Sequence, residues 1–332
     1  MDENSVTLRD IWKAKRRIAP YVQQSPLIFS ERLSEVSNRA IYLKLENLHA
    51  SGSFKIRGAT NKILSLTEEE RKRGVTTFST GNFGVSVAMI AKQLDIPVTV
   101  CISGRVPQTK VSALQRSGAK LEVYGQSQDD AAERCEQLSK SKGLTVLHPF
   151  DDSEVIAGQG TIGLEVIEEL PEVDTIIGGL SGGGLHSGVG VTMKTIDPTM
   201  NVIGLSPKRS AAMYESIKAG KPLLVEEQDT YADSLLGGIG LNNQFTFSLV
   251  QKYVDDIILL EEEDIATGMH FMLIHHRMAI EGAAACGIGA IINKKVKLGS
   301  HNVIIISGNS VGSEVLFDIL QAHHSCSEKL GK

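Results

Sequence analysis

A lysine set among small residues, in Ser51-Gly52-Ser53-Phe54-Lys55-Ile56-Arg57-Gly58-Ala59, is the first segment whose residue types suggest chemistry. A lysine amine forms Schiff bases with carbonyl compounds once burial lowers its pKa enough to expose the free base. Small flanking residues let a flat ring lie close to backbone. Taken alone, the segment reads first as a solvated lysine in a serine–glycine loop, so its weight depends on what accompanies it.

Two further segments accompany it. Ser181-Gly182-Gly183-Gly184-Leu185 follows an apolar run over 175–180 and opens a helical pattern. Three glycines at a strand-to-helix turn expose successive backbone N–H groups, and with the helix N-terminus they suit a phosphate. A tight turn needing positive φ is the plainer alternative. A dinucleotide fingerprint fails twice: Ser187 stands at the third glycine position, and Ser206 stands where an acidic ribose ligand is expected. Ser79-Thr80-Gly81-Asn82-Phe83-Gly84 also joins a strand to a helix. Its hydroxyls, amide and helix-start N–H groups suit a carboxylate, although an N-cap cluster has the same composition.

The elements that must position these segments alternate. Strand-like runs at 75–79, 98–102, 120–123 and 146–148 are separated by helical patterns at 85–94, 110–117 and 128–142. The second half continues with a helix over 163–169, a strand over 175–180, a helix over 185–196 and a strand over 202–205. A strong helix over 264–278 and a buried strand over 303–306 close the pattern. This order predicts an α/β protein with mostly parallel sheets covered by helices.

The 332 residues are enough for two lobes with a sizeable core. With 42% hydrophobic and 22% charged residues the composition is that of a soluble globular chain. A net charge of −5 leaves no basic excess for nucleic acid, so a small molecule is the expected partner. No apolar run is long enough for a bilayer, and residues 1–15 lack a signal-like apolar stretch. Cys101, Cys135, Cys286 and Cys326 form no C-x-x-C pair and read as reduced thiols of a cytoplasmic protein. His270, His275 and His276 share one predicted helix, but the last two point about 100° apart, so they read as structural rather than metal-binding.

Together the three segments resemble the serine/threonine dehydratase family of pyridoxal-phosphate enzymes, with its tryptophan-synthase-β-like fold (fold type II). The likeness runs from about Ile18 to Leu320. The family's S-x-S-[FY]-K-x-R-G-A motif is met at every defined position by Ser51–Ala59. Its glycine loop appears at Ser181–Leu185 with serine first, its asparagine loop at Ser79–Phe83, and its late S-G-G-N motif as Ser307-Gly308-Asn309. The resemblance implies pyridoxal 5'-phosphate held as a Schiff base by Lys55, beside Phe54. It implies that residues Ser181, Gly182, Gly183, Gly184 and Leu185 hold the phosphate, Asn82 meets the ring hydroxyl and Ser307 meets the pyridine nitrogen. Ser79, Thr80, Gly81 and Asn82 would receive the substrate carboxylate, and Glu281 matches an acidic position beside the cofactor. It further implies a homodimer, a large cofactor-binding domain of residues 1–50 and 151–325, a small mobile domain of residues 51–150, and a tail of residues 326–332.

The implied reaction is β-elimination: dehydration and deamination of a small hydroxy amino acid, such as threonine or serine, to a 2-oxo acid and ammonia. Lys55 would act as general base at Cα, and a neutral Ser307 would weaken the electron sink and favour prompt elimination. Phe83 replaces the family's histidine. Ser206 replaces a glutamate that binds a divalent ion in several relatives, so no metal site is expected. Phe150-Asp151-Asp152, Ala157–Thr161 and Ala232-Asp233-Ser234-Leu235 with Gly237-Gly238-Ile239-Gly240 are similar to hydroxyectoine-utilisation dehydratases. The alternatives are a hydroxyaspartate dehydratase, a serine-racemase-like isomerase in which Thr80 supplies the opposite-face acid, a β-replacement synthase, and a non-catalytic binding protein.

Overall fold

The computed structural model describes residues 6–79, 81–106, 108–126 and 128–327. Two sheets organise them. Strands β1 (Leu27–Phe29), β2 (Ala40–Lys44), β7 (Thr175–Gly179), β8 (Asn201–Pro207), β9 (Asp256–Leu260) and β10 (His301–Ile305) form a six-stranded sheet in the order β1-β2-β10-β7-β8-β9. Strands β3 (Val75–Thr77), β4 (Val98–Ile102), β5 (Lys120–Val123) and β6 (Thr145–Val146) form a four-stranded sheet in the order β5-β4-β3-β6. Every pairing is parallel except β1 with β2.

Period-two alternation explains why the six-stranded sheet is covered on both faces. Ile304 of β10, Ile177 of β7, Ile203 and Leu205 of β8 and Ile41 and Leu43 of β2 enter one core. Their sequence neighbours Val303, Ile305, Ile176 and Val202 enter the core on the opposite face. Strands apolar on both faces must lie between helix layers. A third core, containing Val75, Val98, Val100 and Ile102, fills one side of the four-stranded sheet.

Close helix crossings place the lysine segment. The helix Lys55–Ser65 packs on the helix Ser153–Glu169, which Asp152 caps by accepting from the N–H groups of Glu154 and Val155. At the crossing, a Cβ on Gly158 would lie 2.7 Å from Gly58 Cα, and one on Gly58 would lie 2.9 Å from the Val155 carbonyl oxygen. The two glycines therefore permit a backbone approach that any side chain would prevent.

Below this crossing lies a buried ion network. Arg57 donates to Glu46 (2.7 and 2.8 Å) and to Glu165 (2.6 and 2.7 Å) through paired bonds, and Lys44 joins Glu165 and Glu169 at 2.9 Å each. Arg57 is 1% exposed, so its charge is retained only because two carboxylates surround it.

Several boundaries differ from expectation. The helix predicted over 163–169 begins at Ser153, because Asp152 caps it ten residues earlier. The helix predicted over 264–278 is α-helical over Glu262–Phe271 and continues as a π-turn over Met272–His276, ending at Arg277 with φ 59°. The π-turn takes His275 onto the Phe271 ring, 4.4 Å between centroids, while His276 Nε2 meets Ser30 Oγ at 2.9 Å. Cys101 and Cys135, well separated in sequence, converge on Thr76 Oγ1 at 3.7 and 3.3 Å as free buried thiols. The side chains of His323, His324 and Cys326 lie outside the described residues, as does the structure of 328–332.

Candidate active site

A cleft runs between the two sheets, and most of its walls come from segments that follow the carboxyl ends of parallel strands. Ser181 to Leu185 follow β7, Ser307 and Ser310 follow β10, Ser79, Gly81 and Asn82 follow β3, and Pro149 and Phe150 follow β6. Open parallel sheets bind ligands at such ends because diverging connections leave a crevice there.

Lys55 stands at the base of this cleft, on the first turn of its helix. Its Nζ lies 4.9 Å from the centre of the Phe54 ring and donates to the Pro149 carbonyl oxygen at 3.4 Å. Burial pushes the amine down to about 8, against the attraction of the nearby Glu281 carboxylate. The lysine is therefore partly neutral near physiological pH, as a nucleophilic amine must be.

Glu281 is buried at the N-cap of the helix Gly282–Ile292. It accepts from Asn82 Nδ2 at 2.9 and 3.1 Å and from Ser234 Oγ at 3.1 Å. Burial raises its pKa to about 7, and the charge of Asp233 works in the same direction; the hydrogen bonds from Asn82 and Ser234 oppose the shift.

The glycine loop has the form expected of an anion cradle. Gly183 has φ 88°, and the helix Gly184–Ile196 starts immediately after it. Its first-turn N–H groups lack intrahelical acceptors and are available to a ligand. The Phe150 ring closes the back of the loop, since a Cβ on Gly182 would come within 2.5 Å of that ring. His148 stacks edge-on to Phe150 at 4.6 Å and accepts from the Asp151 N–H at 2.9 Å. Burial lowers its pKa, which suits that acceptor role.

Ser307 Oγ is buried at the cleft wall and has no hydrogen-bond partner among the described residues. A buried hydroxyl without a partner is costly unless a ligand supplies one. The orphan hydroxyl, the depressed lysine and the N–H cradle match the nitrogen, aldehyde and phosphate of pyridoxal phosphate, so the residues present fit that group.

The structure thus gathers Phe54, Lys55, Ser79, Gly81, Asn82, the 181–185 loop, Glu281 and Ser307 around one cleft. Thr80 lies outside the described residues. Phe83 reaches the cleft edge but is 1% exposed and belongs to the core of the four-stranded lobe. Ser206 is buried within β8, and among the described residues no group of three His, Cys, Asp or Glu side chains is placed to hold a metal. Sequence reasoning assigned no site role to Phe150, Ser234 or Asp233, which also line the cleft. Their sequence signal was membership of the Phe150-Asp151-Asp152 and Ala232-Asp233-Ser234-Leu235 segments, noted above for a resemblance and given no role in the site.

Known proteins share this fold. The chain is 40% identical to the L-threonine ammonia-lyase of Thermotoga maritima over 95% of its own length and 78% of that protein. Its fold superposes on maize serine racemase with a TM-score of 0.89 at 31% identity, covering 98% of this chain and 99% of that one. It superposes on the processed form of threonine deaminase isoform 2 from Solanum lycopersicum with a TM-score of 0.86 at 28% identity, covering 96% and 89%. A family model for pyridoxal-phosphate-dependent enzymes matches residues 18–308, and it is to this family that the chain belongs.

Proposed function

We propose that this protein removes water and ammonia from a small hydroxy amino acid, threonine or serine, giving a 2-oxo acid. The observation that carries this reading is the half-buried Lys55, lining the same cleft as the orphan Ser307 hydroxyl and the 181–185 glycine loop, with its amine depressed to about 8. The threonine ammonia-lyase relative supports the reaction class. When bound, the cofactor supplies an electron sink for the charge that develops at the substrate α-carbon.

The chain's own residues do the rest. The 181–185 backbone holds the phosphate, and the N-terminus of the helix Asn82–Gln93, with Ser79 and Gly81, receives the substrate carboxylate. Lys55 would hold the cofactor and, with its amine free, would accept the proton from Cα. Ser307 would offer the pyridine nitrogen a neutral hydroxyl, which would hold less positive charge there than a carboxylate and so favour loss of the β-hydroxyl. Thr80 would complete the carboxylate loop. The lobe of residues 51–150 would move against the remainder of the chain.

Incubation with L-serine and L-threonine in deuterated water tests the reading. Pyruvate or 2-oxobutyrate with little D-isomer is the expected result, and Lys55→Ala should abolish it. Deuterium incorporation with inversion, faster than oxo-acid release, would instead make the protein a racemase, a reading favoured by the maize serine racemase likeness. The finer reading is a hydroxyectoine-catabolism dehydratase, supported by the segment Ala232-Asp233-Ser234-Leu235, whose last three residues line the cleft. Turnover of a hydroxyectoine-derived hydroxy amino acid in preference to threonine would support it. The reading includes a cytoplasmic homodimer, to which exposed Phe29 and Phe317 (53% and 60%) would contribute apolar surface. Among the described residues no helix is long and apolar enough to cross a membrane.

A further inference from the structure

Glu281 sits in a knot that glycines make possible. A Cβ on Gly282 would lie 2.2 Å from the Tyr231 carbonyl oxygen, so only glycine lets residues 231–235 rest against the start of the helix Gly282–Ile292. That contact delivers Ser234, from the 3-10 turn Asp233–Leu235, to Glu281 Oε1 at 3.1 Å. On another side, a Cβ on Gly308 would fall 2.7 Å from Glu281 Oε1 and 3.1 Å from Asn82 Nδ2. Asn82 reaches in from the four-stranded lobe, with Nδ2 at 2.9 and 3.1 Å from the two carboxylate oxygens.

An amide can present either end by turning 180°, and an ionised carboxylate offers acceptors only. Once ionised, Glu281 therefore admits the nitrogen end of Asn82 and rejects its oxygen. Asn82 lines the cleft, so the carboxylate decides which polar edge the cleft meets. Ser234 in turn donates to that carboxylate and holds it in place. Asp233 and Lys55 also face Glu281, the first opposing its ionisation.

We propose that Ser234 and Glu281 are positioning residues that fix the amide orientation of Asn82, leaving an Asn82 N–H for the ring oxygen of the cofactor. The inference rests on the cofactor reading of this cleft. Ser234 acts through Glu281 and touches no reacting atom. Its bond also links the large-lobe turn at 233–235, through Glu281, to the small-lobe helix that begins at Asn82.

The test compares wild type, Ser234→Ala, Ser234→Thr and Glu281→Gln at pH 8.5. The measurements are the pyridoxal-phosphate Kd, the ratio of the two absorption bands of the bound cofactor, and the thermal midpoint of the cofactor-free protein. Glu281→Gln should raise Kd about tenfold, the scale of one hydrogen bond involving a charged group. It should also change the band ratio, because the ring oxygen loses a fixed donor. Ser234→Ala should shift both in the same direction, with Kd rising about threefold, while Ser234→Thr restores both and the midpoints of the two Ser234 variants stay at wild type. A Ser234→Ala protein with wild-type Kd and band ratio overturns the proposal. So does a threonine variant that behaves like alanine, or a loss that tracks a lowered midpoint. A wild type that takes up no pyridoxal phosphate overturns the cofactor reading itself, which separates the two failures.

Discussion

The backbone N–H of Phe54 donates to the carbonyl oxygen of Ser307 at 3.1 Å, joining the residue before the lysine to the residue at the opposite cleft wall. The neighbouring Asn309 N–H donates to the Gly52 carbonyl oxygen at 3.0 Å, and Ser53 bridges Gly308. Two segments from opposite ends of the chain thus form one short antiparallel ladder, and the distance from Lys55 to Ser307 is set by backbone rather than by side chains.

Gly52 is the weak point of that ladder. It has φ 74°, and a Cβ there would come within 2.4 Å of Asn309 Oδ1, which cannot swing away freely because Asn309 Nδ2 is bonded to the Asn47 carbonyl oxygen. Gly52→Ala should cost about 2 kcal/mol or more from the left-handed backbone and the clash together. Urea unfolding of the cofactor-free protein measures the cost, and cofactor affinity should fall alongside it. An alanine variant as stable as wild type would show that the ladder yields easily.

Cofactor uptake should follow the titration of Lys55. The amine is held at about 8, and only its neutral form attacks an aldehyde. The rate of reconstitution should rise about tenfold per unit below pH 8 and level off above it. Stopped-flow mixing of the cofactor-free protein with pyridoxal phosphate between pH 6 and 9.5 measures this, and a flat profile would contradict it.

Glu281 makes an opposite contribution to stability. Its pKa is raised in the fold from 4.5 to about 7, so the folded state binds the proton more tightly than the unfolded chain. The stabilisation is full below about pH 4.5 and is lost as pH rises through about 7. Relative to wild type, the cofactor-free Glu281→Gln protein should therefore gain about 2 kcal/mol between pH 5 and pH 8. Parallel denaturant titrations at the two pH values decide it; a difference that does not change with pH would mean the carboxyl is not perturbed.

The ion network under the lysine helix should be far more sensitive than ion pairs on the surface. Arg57→Met leaves Glu46 and Glu165 buried without their shared partner, which should destabilise by about 3–5 kcal/mol. Lys72→Ala removes the exposed pair with Glu68 and should cost less than about 1 kcal/mol. Comparable losses for both would mean that water reaches Arg57.

The identity of the chemistry was legible along the chain because its signals are local. Lys55 and its small neighbours, the three glycines before the helix Gly184–Ile196, and the alternation of strands with helices each lie within short stretches of sequence. Apolar periodicity reports which face of an element is buried, and β4, β5 and the helix Gln128–Lys142 begin and end at the expected residues. The tertiary structure alone decided what meets what across distance. Asn82 and Glu281 are 199 positions apart, and Ser234 and Glu281 are 47 apart. Arg57 was legible as part of a motif, yet its burial between Glu46 and Glu165 was not. Phe83 stood in a loop segment that suited a ligand, yet its ring packs into the core against the four-stranded sheet. The reason is physical: a polar residue in sequence carries no mark of whether water or another polar group will satisfy it, and that choice depends on where the strand ends converge.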